Sequence, residues 1–258
     1  MIKFKITIAW LYPDLMSTYG DRGNVICLQK RCQWRGIEAE IIPISLKLNN
    51  EKLGEADLIF MGGAQDRQQS IAGEDFITKK GTVLKKLIEK GVPGLFVCAA
   101  YQAIGKYYKP YTGDDIPGLG IFDLYTKHPG DQARRLIGNV VAEIIFSNFT
   151  NLNKFKYTIV GFENHGGRTY LGKGVKPFAR VSHGFGNNGE DGFEGAVYKN
   201  CIGSYFHGPI LPKNPHLADW LISRALETKY QKNVELTSLS DEIEWQAHDF
   251  MLRRLGMI

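Results

Sequence analysis

The sequence predicts an α/β fold with a mostly parallel sheet and helices on both of its faces. Three observations predict it. Short apolar runs alternate with helical periodicity through the first hundred residues, the pattern of a parallel sheet joined by crossovers. Several of those runs are apolar throughout, as strands covered on both faces must be. The chain, at 258 residues with 43% hydrophobic and 23% charged residues, is long enough to bury a sizeable core.

The elements follow in order. Residues 3–10 alternate and then turn apolar, giving a first strand that the opening Met1-Ile2-Lys3-Phe4-Lys5-Ile6 already begins. Asp21 stands where an N-cap would open a helix to about residue 35, with Val25, Leu28 and Cys32 on one face and Gly36 as its stop. Residues 37–44 form a second strand. A third, 56–61, stops at Gly62-Gly63. Residues 74–90 carry an amphipathic helical pattern ended by Gly91, with Pro93 just beyond. Residues 92–97 lead a buried strand into Cys98. The stretch 108–130, rich in Gly, Pro, Asp and Tyr, reads as long loops. Residues 139–147 and 155–161 read as strands, and 166–192 as a turn-rich β segment, with no phosphate loop because no Gly-Lys-Ser/Thr follows its glycines. Residues 193–198 and 201–206 pair around Lys199-Asn200. Pro215 opens a helix to about residue 230. The chain divides into a domain over 1–230 and an extension over 231–258. In the extension Ser240, Asp241 and Glu242 start a helix that places Ile243, Ala247, Phe250, Met251 and Leu255 on one stripe, suited to docking on the domain or to a partner.

Composition narrows the function. A formal charge of +5 is spread along the chain, with no basic block or aromatic-interleaved stripe to read as a nucleic-acid site. No apolar stretch approaches the ~20 residues that span a bilayer, and the first residues do not read as a signal peptide, so a cytoplasmic protein is expected. Cys27, Cys32, Cys98 and Cys201 form no metal-binding spacing, and no metal is expected. Cys27, Cys32 and Cys201 read as packing residues.

Cys98 stands apart. It ends an apolar run and is followed at once by Ala99-Ala100-Tyr101-Gln102, small residues that permit a tight strand-to-helix turn. Such a turn aims the sulfur at a helix N-terminus, which favours the nucleophilic thiolate. A buried structural cysteine is the competing reading of this run alone. A nucleophile also needs a base, oxyanion donors and a substrate clamp. His207, in Gly203-Ser204-Tyr205-Phe206-His207-Gly208-Pro209, follows an apolar strand and would meet Cys98 at the sheet's C-terminal edge, where open α/β sheets bind ligands. Gly62-Gly63 after the third strand frees backbone amides for an oxyanion, and the Ala99 amide at the helix start supplies a second donor. His165 is an intermediate candidate; His128, His183, His216 and His248 read as hydrogen-bonded surface side chains.

These features resemble the class I glutamine amidotransferases, whose sheet is flavodoxin-like. Nine motifs in order resemble the cobyric-acid-synthase-like branch: Tyr12-Pro13-Asp14-Leu15-Met16, Tyr19-Gly20-Asp21-Arg22-Gly23-Asn24, Gly62-Gly63-Ala64-Gln65-Asp66, Arg135-Leu136-Ile137-Gly138-Asn139, Gly161-Phe162-Glu163-Asn164-His165, Gly167-Arg168-Thr169, Gly186-Asn187-Asn188-Gly189, Glu194-Gly195 and Tyr205-Phe206-His207-Gly208-Pro209. Together, over residues from about 5 to 230, they are similar to the glutaminase subunits of lipid II isoglutaminyl synthases. That resemblance implies L-glutamine hydrolysis by a Cys98–His207 dyad, with Gly63 and Ala99 as oxyanion donors. It implies substrate binding by Arg135, through the glutamine α-carboxylate, and by Gln102. It also implies a heterodimer with a Mur-ligase-like partner. The partner binds ATP and Mg and uses the ammonia on the D-glutamate of lipid II at the inner membrane face, while this chain carries no cofactor. Asp21 and Asn24 are expected to organise a loop. Two departures stand out: Ala100 occupies a position where many members have glycine, and the residues after His207, through Ile210, offer no glutamate to orient the ring. A glutaminase serving another acceptor, such as a corrinoid, and a catalytically silent regulatory module are the alternatives.

Overall fold

The computed structural model describes residues 3–46, 50–147, 149 and 157–258. In chain order it runs β1 (Lys5–Leu11), α1 (Arg22–Trp34), β2 (Glu38–Ile44), α2 (Asn50–Leu53), β3 (Leu58–Met61), α3 (Asp66–Asp75), a π-helical turn (Phe76–Lys80), α4 (Gly81–Glu89), β4 (Gly94–Val97) and α5 (Ala99–Ile104). There follow β5 (Tyr107–Lys109), β6 (Ile116–Pro117), β7 (Leu124–Lys127), β8 (Leu136–Ile144), β9 (Thr158–His165), β10 (Arg168–Leu171), β11 (Ala179–His183), β12 (Phe193–Glu194), β13 (Ala196–Tyr198), β14 (Cys201–Ser204), α6 (Pro215–Tyr230) and α7 (Glu242–Arg254). The sequence-predicted first and sixth strands overlap β1 and β9; their residues 1–2 and 155–156 lie outside the described residues.

The central sheet has the order β13-β14-β4-β3-β1-β2. All pairs are parallel except the β13–β14 hairpin, whose turn carries Lys199 at φ 53°. Every residue of β3, β4 and β14 is buried, which is what all-apolar strands covered on both sides require. One helix group joins α1 to α6; the other brings α2 against α4 and α3 against α5. Gly203 on β14 is needed for packing, since a methyl there would lie 2.0 Å from the Tyr101 ring on α5.

Register decides where the site falls. Leu11 pairs with Met61, Met61 with Phe96, and Val97 with Ser204. Four neighbouring strands therefore end on one level. The segments that leave them hold Asp21, Gly62-Gly63, Cys98 and His207.

Elsewhere the structure corrects the sequence reading. The stretch 108–130 is not all loop: β5, β6 and β7 join β10 in a four-stranded sheet of order β10-β7-β5-β6. These strands have two to four residues, too short for a periodic pattern to register. A third sheet, β12-β11-β8-β9, is antiparallel, and β9 bridges to the segment after β14 at Phe162 and His207. The helix expected over 74–90 begins earlier, at Asp66, and passes through the π turn before α4. The C-terminal helix docks on the domain by one side of the expected stripe, where Met251 and Leu255 pack against the buried cluster. His248 and Leu252 are buried, and Leu252 packs with Val141 and Val160, whereas Ile243 is 78% and Phe250 59% exposed.

Candidate active site

Cys98 sits between β4 and α5 with φ 54° and ψ −105°. A non-glycine residue holds that conformation only when its surroundings enforce it, and such strain collects at functional sites. Here the enforcement is visible on both sides. The Cys98 amide donates to the Ser204 carbonyl at 2.8 Å, and its carbonyl accepts the Gln102 amide at 3.0 Å. Ala100 is fully buried in α5, and the strand-to-helix turn forms with its methyl group in place.

His207 is wholly buried. Its backbone is pinned to β9: its amide donates to the Phe162 carbonyl at 2.7 Å, and its carbonyl accepts the Phe162 amide at 3.2 Å. Its Nδ1 lies 3.3 Å from Asp21 Oδ1, and the Tyr19 ring meets the imidazole edge-on at 4.9 Å between centroids. Nε2 has no hydrogen-bond partner. Burial works against a charged ring, but Cys98 and the Asp21 carboxylate outweigh it, and the His207 pKa is pushed up to about 10. The raised pKa favours the imidazolium form of His207 beside Cys98.

Gly63 lies against both groups. A methyl there would fall 2.6 Å from His207 Cε1 and 3.3 Å from Cys98 Cβ, so no side chain fits. The structure also shows what that peptide does in this state. The Gly63 amide, expected as an oxyanion donor, donates to Asp21 Oδ2 at 2.6 Å, and the Gly63 carbonyl accepts the Thr18 amide at 3.1 Å. The donor is thus engaged by the carboxylate that also contacts His207. Ala99 occupies the first position of α5, where a helix leaves its amide without an internal acceptor.

Asp21 is the functional residue that sequence reasoning placed elsewhere. It stands at the N-cap position of α1, yet its side chain makes no capping bond; both oxygens go to the site. Its signal was present in the Tyr19-Gly20-Asp21-Arg22-Gly23-Asn24 run, directly after the loop that leaves β1. Asn24 does organise a loop: its Oδ1 accepts the Leu211 amide at 3.0 Å, bracing the segment that follows His207.

A cavity of about 640 Å³ opens over this pair, lined among others by Cys98, Ala99, Gln102, Arg135 and His207. Gln102 is buried in its wall and donates through Nε2 to the Tyr205 hydroxyl at 3.2 Å. Arg135 is at the mouth, where Nε donates to Asn164 Oδ1 at 3.0 Å and Nη2 to the Asn164 carbonyl at 3.1 Å. Asn164 in turn donates to the Tyr19 hydroxyl at 2.7 Å, so a polar strap runs from Arg135 to the ring beside His207. His165 lines the cavity and stacks on Tyr205 at 3.6 Å; burial lowers its pKa, which keeps it neutral. His128 also lines the cavity. Among the described residues no cluster of three or more metal-ligating side chains forms, and no helix is long and apolar enough to cross a membrane.

The arrangement can support nucleophilic attack by sulfur on a carbonyl carbon, with proton transfer through Nε2. Comparison with known proteins agrees with that chemistry. The chain is 39% identical over 250 residues to subunit GatD of the glutamine-hydrolyzing lipid II isoglutaminyl synthase of Staphylococcus aureus (strain N315), covering 97% of this chain and 96% of that one. It is 37% identical to the corresponding subunit of Streptococcus pneumoniae (strain ATCC BAA-255 / R6), over 92% and 87% of the two chains. A crystal structure of a glutamine amidotransferase shares the fold, with a TM-score of 0.55 at 17% identity, over 84% of this chain and 98% of the other. The CobB/CobQ-like glutamine amidotransferase domain matches residues 7–215, which takes in the central sheet from Thr7 onward and all the residues around Cys98, and the chain therefore belongs to that family of glutamine-hydrolysing enzymes.

Proposed function

We propose that this chain is the glutaminase subunit of a lipid II isoglutaminyl synthase. The observation that carries the reading is its nearly end-to-end similarity to two such subunits. The chemistry is supported by Cys98 and His207 meeting at adjacent strand ends under one cavity.

The reaction runs in two halves. The Cys98 thiolate attacks the side-chain carboxamide carbon of L-glutamine. The Ala99 amide, and the Gly63 amide once it leaves Asp21, hold the oxyanion that forms. Protonated His207 gives its Nε2 proton to the departing nitrogen, which leaves as ammonia, and a glutamyl thioester remains. Neutral His207 then takes a proton from water. The resulting hydroxide attacks the thioester, and collapse of the second tetrahedral species returns glutamate and the thiolate. Asp21 holds Nδ1 throughout, the role that no residue just after His207 fills. Arg135 pairs with the substrate α-carboxylate and Gln102 shapes the wall beside it.

The ammonia passes to a Mur-ligase-like partner in a heterodimer. That partner binds ATP and Mg, activates the D-glutamate α-carboxylate of the lipid II stem peptide and forms D-isoglutamine. The work is done on the inner face of the membrane, where the lipid-linked substrate presents its peptide.

The test is glutamate release from L-glutamine by the purified chain and by Cys98→Ala, each alone and with the ligase subunit. Loss on the order of 10⁴-fold in the variant is expected. Equal release by both proteins would overturn the reading. Amidated lipid II from the pair, and none from either subunit alone, identifies the acceptor.

A further inference from the structure

The loop after β1, residues 12–21, carries the groups that act on His207 and Gly63, and its first residue is anchored by a buried ion pair that the reaction does not touch. The loop ends in Thr18, Tyr19 and Asp21. It packs directly on the Gly62-Gly63 turn, where a methyl at Gly62 would lie 2.5 Å from the Met16 carbonyl. It begins at Tyr12, which holds φ 50° and is 1% exposed. The Tyr12 amide donates to the Ile44 carbonyl at 2.6 Å, and its carbonyl accepts the Met16 amide at 2.8 Å. Its hydroxyl donates to Asp75 Oδ2 at 2.8 Å. Asp75 closes α3, and Lys80, at the end of the π turn, bonds the same oxygen; both side chains are buried. Lys80 Nζ also stands 5.2 Å from the centre of the Tyr12 ring, and Phe76 meets that ring edge-on at 6.3 Å.

The π turn is what makes that pair. In an α-helix, residues five apart lie about 140° apart around the axis, so Lys80 would face away from Asp75. A turn with i→i+5 bonding brings the two onto one side. Burial works to raise the Asp75 pKa, but the Lys80 ammonium and the Tyr12 hydroxyl outweigh it, and the carboxylate stays ionised. A distorted helix, two buried charges and a left-handed tyrosine each cost free energy, and all three meet at the start of the loop. The loop needs a fixed start. The Gly63 amide has to leave Asp21 to hold the oxyanion, so the loop shifts during turnover, yet Asp21 has to keep His207 Nδ1. We propose that Asp75, locked by Lys80, is a positioning residue for catalysis: through the Tyr12 hydroxyl it fixes the loop after β1, so that Asp21 keeps its hold on His207. This rests on the glutaminase reading above. The competing role is stability alone, which changes the folded fraction and not the chemistry of a folded molecule.

The test is Tyr12→Phe, which keeps the ring and removes the hydroxyl. Glutamate release from L-glutamine is measured across pH with the ligase subunit present. For Tyr12→Phe, kcat is expected to fall on the order of 10-fold, with KM within about twofold of the wild type. The groups that face the His207 ring are Cys98 after β4, and Asp21 and Tyr19 on the loop after β1. A loosened Asp21 therefore moves the alkaline limb of the kcat/KM profile to lower pH, a shift that loss of folded protein does not produce. In the Asp21→Asn background, Tyr12→Phe is expected to cost less than about twofold more, because the two act through one group. Asp75→Asn is expected to move the limb the same way, and Tyr12→Phe decides the matter if that variant does not fold. A wild-type kcat in Tyr12→Phe, an unmoved limb, or losses that multiply in the double variant each overturn the assignment and leave the glutaminase reading intact. No glutamate release by the wild type, with the ligase present, overturns both.

Discussion

Gly63 leaves no room for a side chain, and that single restriction ties three residues together. A methyl group there would meet His207 Cε1, Asp21 Oδ2 and Cys98 Cβ within 3.3 Å. Gly63→Ala is expected to cut glutamate release by roughly 10²-fold or more, as losses of oxyanion geometry do. Steady-state kinetics at saturating glutamine check it. Asp21→Asn removes the charge that faces Nδ1, and a loss in kcat on the order of 10²- to 10⁴-fold is expected. Its pH dependence has a definite sign. Cys98 and Asp21 raise the His207 pKa against the effect of burial, so removing Asp21 lowers it, and the alkaline limb of the kcat/KM profile moves to lower pH. The same shift bears on stability. A histidine whose folded pKa is raised from 6.5 to about 10 stabilises the fold fully below about 6.5, and that contribution fades as pH rises toward about 10. The gap in Tm between wild type and His207→Asn should therefore shrink from pH 6 to pH 10. An unchanged gap would sink the claim. Cys98 and His207 were legible in the sequence because each follows an apolar run and is flanked by small or turn-forming residues. The role of Asp21 was not legible, because it depends on β1 lying next to β3, a fact of strand order that no local pattern carries.

At the scale of elements, the extension past α6 is held by buried charge as well as by apolar contact. Arg31 on α1 is 1% exposed and bonds Asp219 on α6 through Nε at 2.6 Å and Asp241, at the start of α7, through Nη1 at 2.7 Å. Arg35 adds a bond from Nε to the Thr237 carbonyl at 2.7 Å. Removing one member of such a buried set strands its partners, so Arg31→Met is expected to cost about 3–5 kcal/mol by denaturant unfolding. Leu252→Ala, at the contact with Val141 and Val160, should cost about 2–3 kcal/mol, while Ile243→Ala should be nearly silent. The sequence stripe was right in part: its Met251 and Leu255 pack on the docked cluster, while Ile243 and Phe250 face solvent. It counted apolar side chains, whereas the docked face is built around His248, which bonds Thr158 Oγ1 at 3.0 Å and the Lys213 carbonyl at 2.9 Å. Polar residues that find partners after docking do not announce themselves in a hydrophobic pattern. The central strands β3 and β4 did, because each is apolar throughout. The short strands β5–β7 did not, because two to four residues are too few for a periodic pattern to register.

At the scale of the whole molecule, the sheet order sets how strongly the chain acts by itself. The loop from β1 holds the Gly63 peptide at both ends, its carbonyl through Thr18 and its amide through Asp21. On the mechanism proposed above, that engagement leaves the Ala99 amide to hold the developing oxyanion, and the loss of one such donor costs roughly 10²- to 10³-fold in kcat. The isolated chain should therefore hydrolyse glutamine slowly. The residues that would have to move, Thr18 and Tyr19, line the cavity, and Tyr19 is joined through Asn164 to Arg135, so a substrate drawn to Arg135 can act on the same strap. Adding the ligase subunit is expected to raise kcat for glutamate release by about the same 10²- to 10³-fold, with a smaller change in KM. Tyr19→Phe, which removes the hydroxyl that Asn164 holds, should raise the rate of the chain alone and narrow the gap. Rates that are equal with and without the ligase subunit would show that the Asp21–Gly63 bond is no barrier to turnover, and the oxyanion would then be held by Ala99 and a donor other than Gly63.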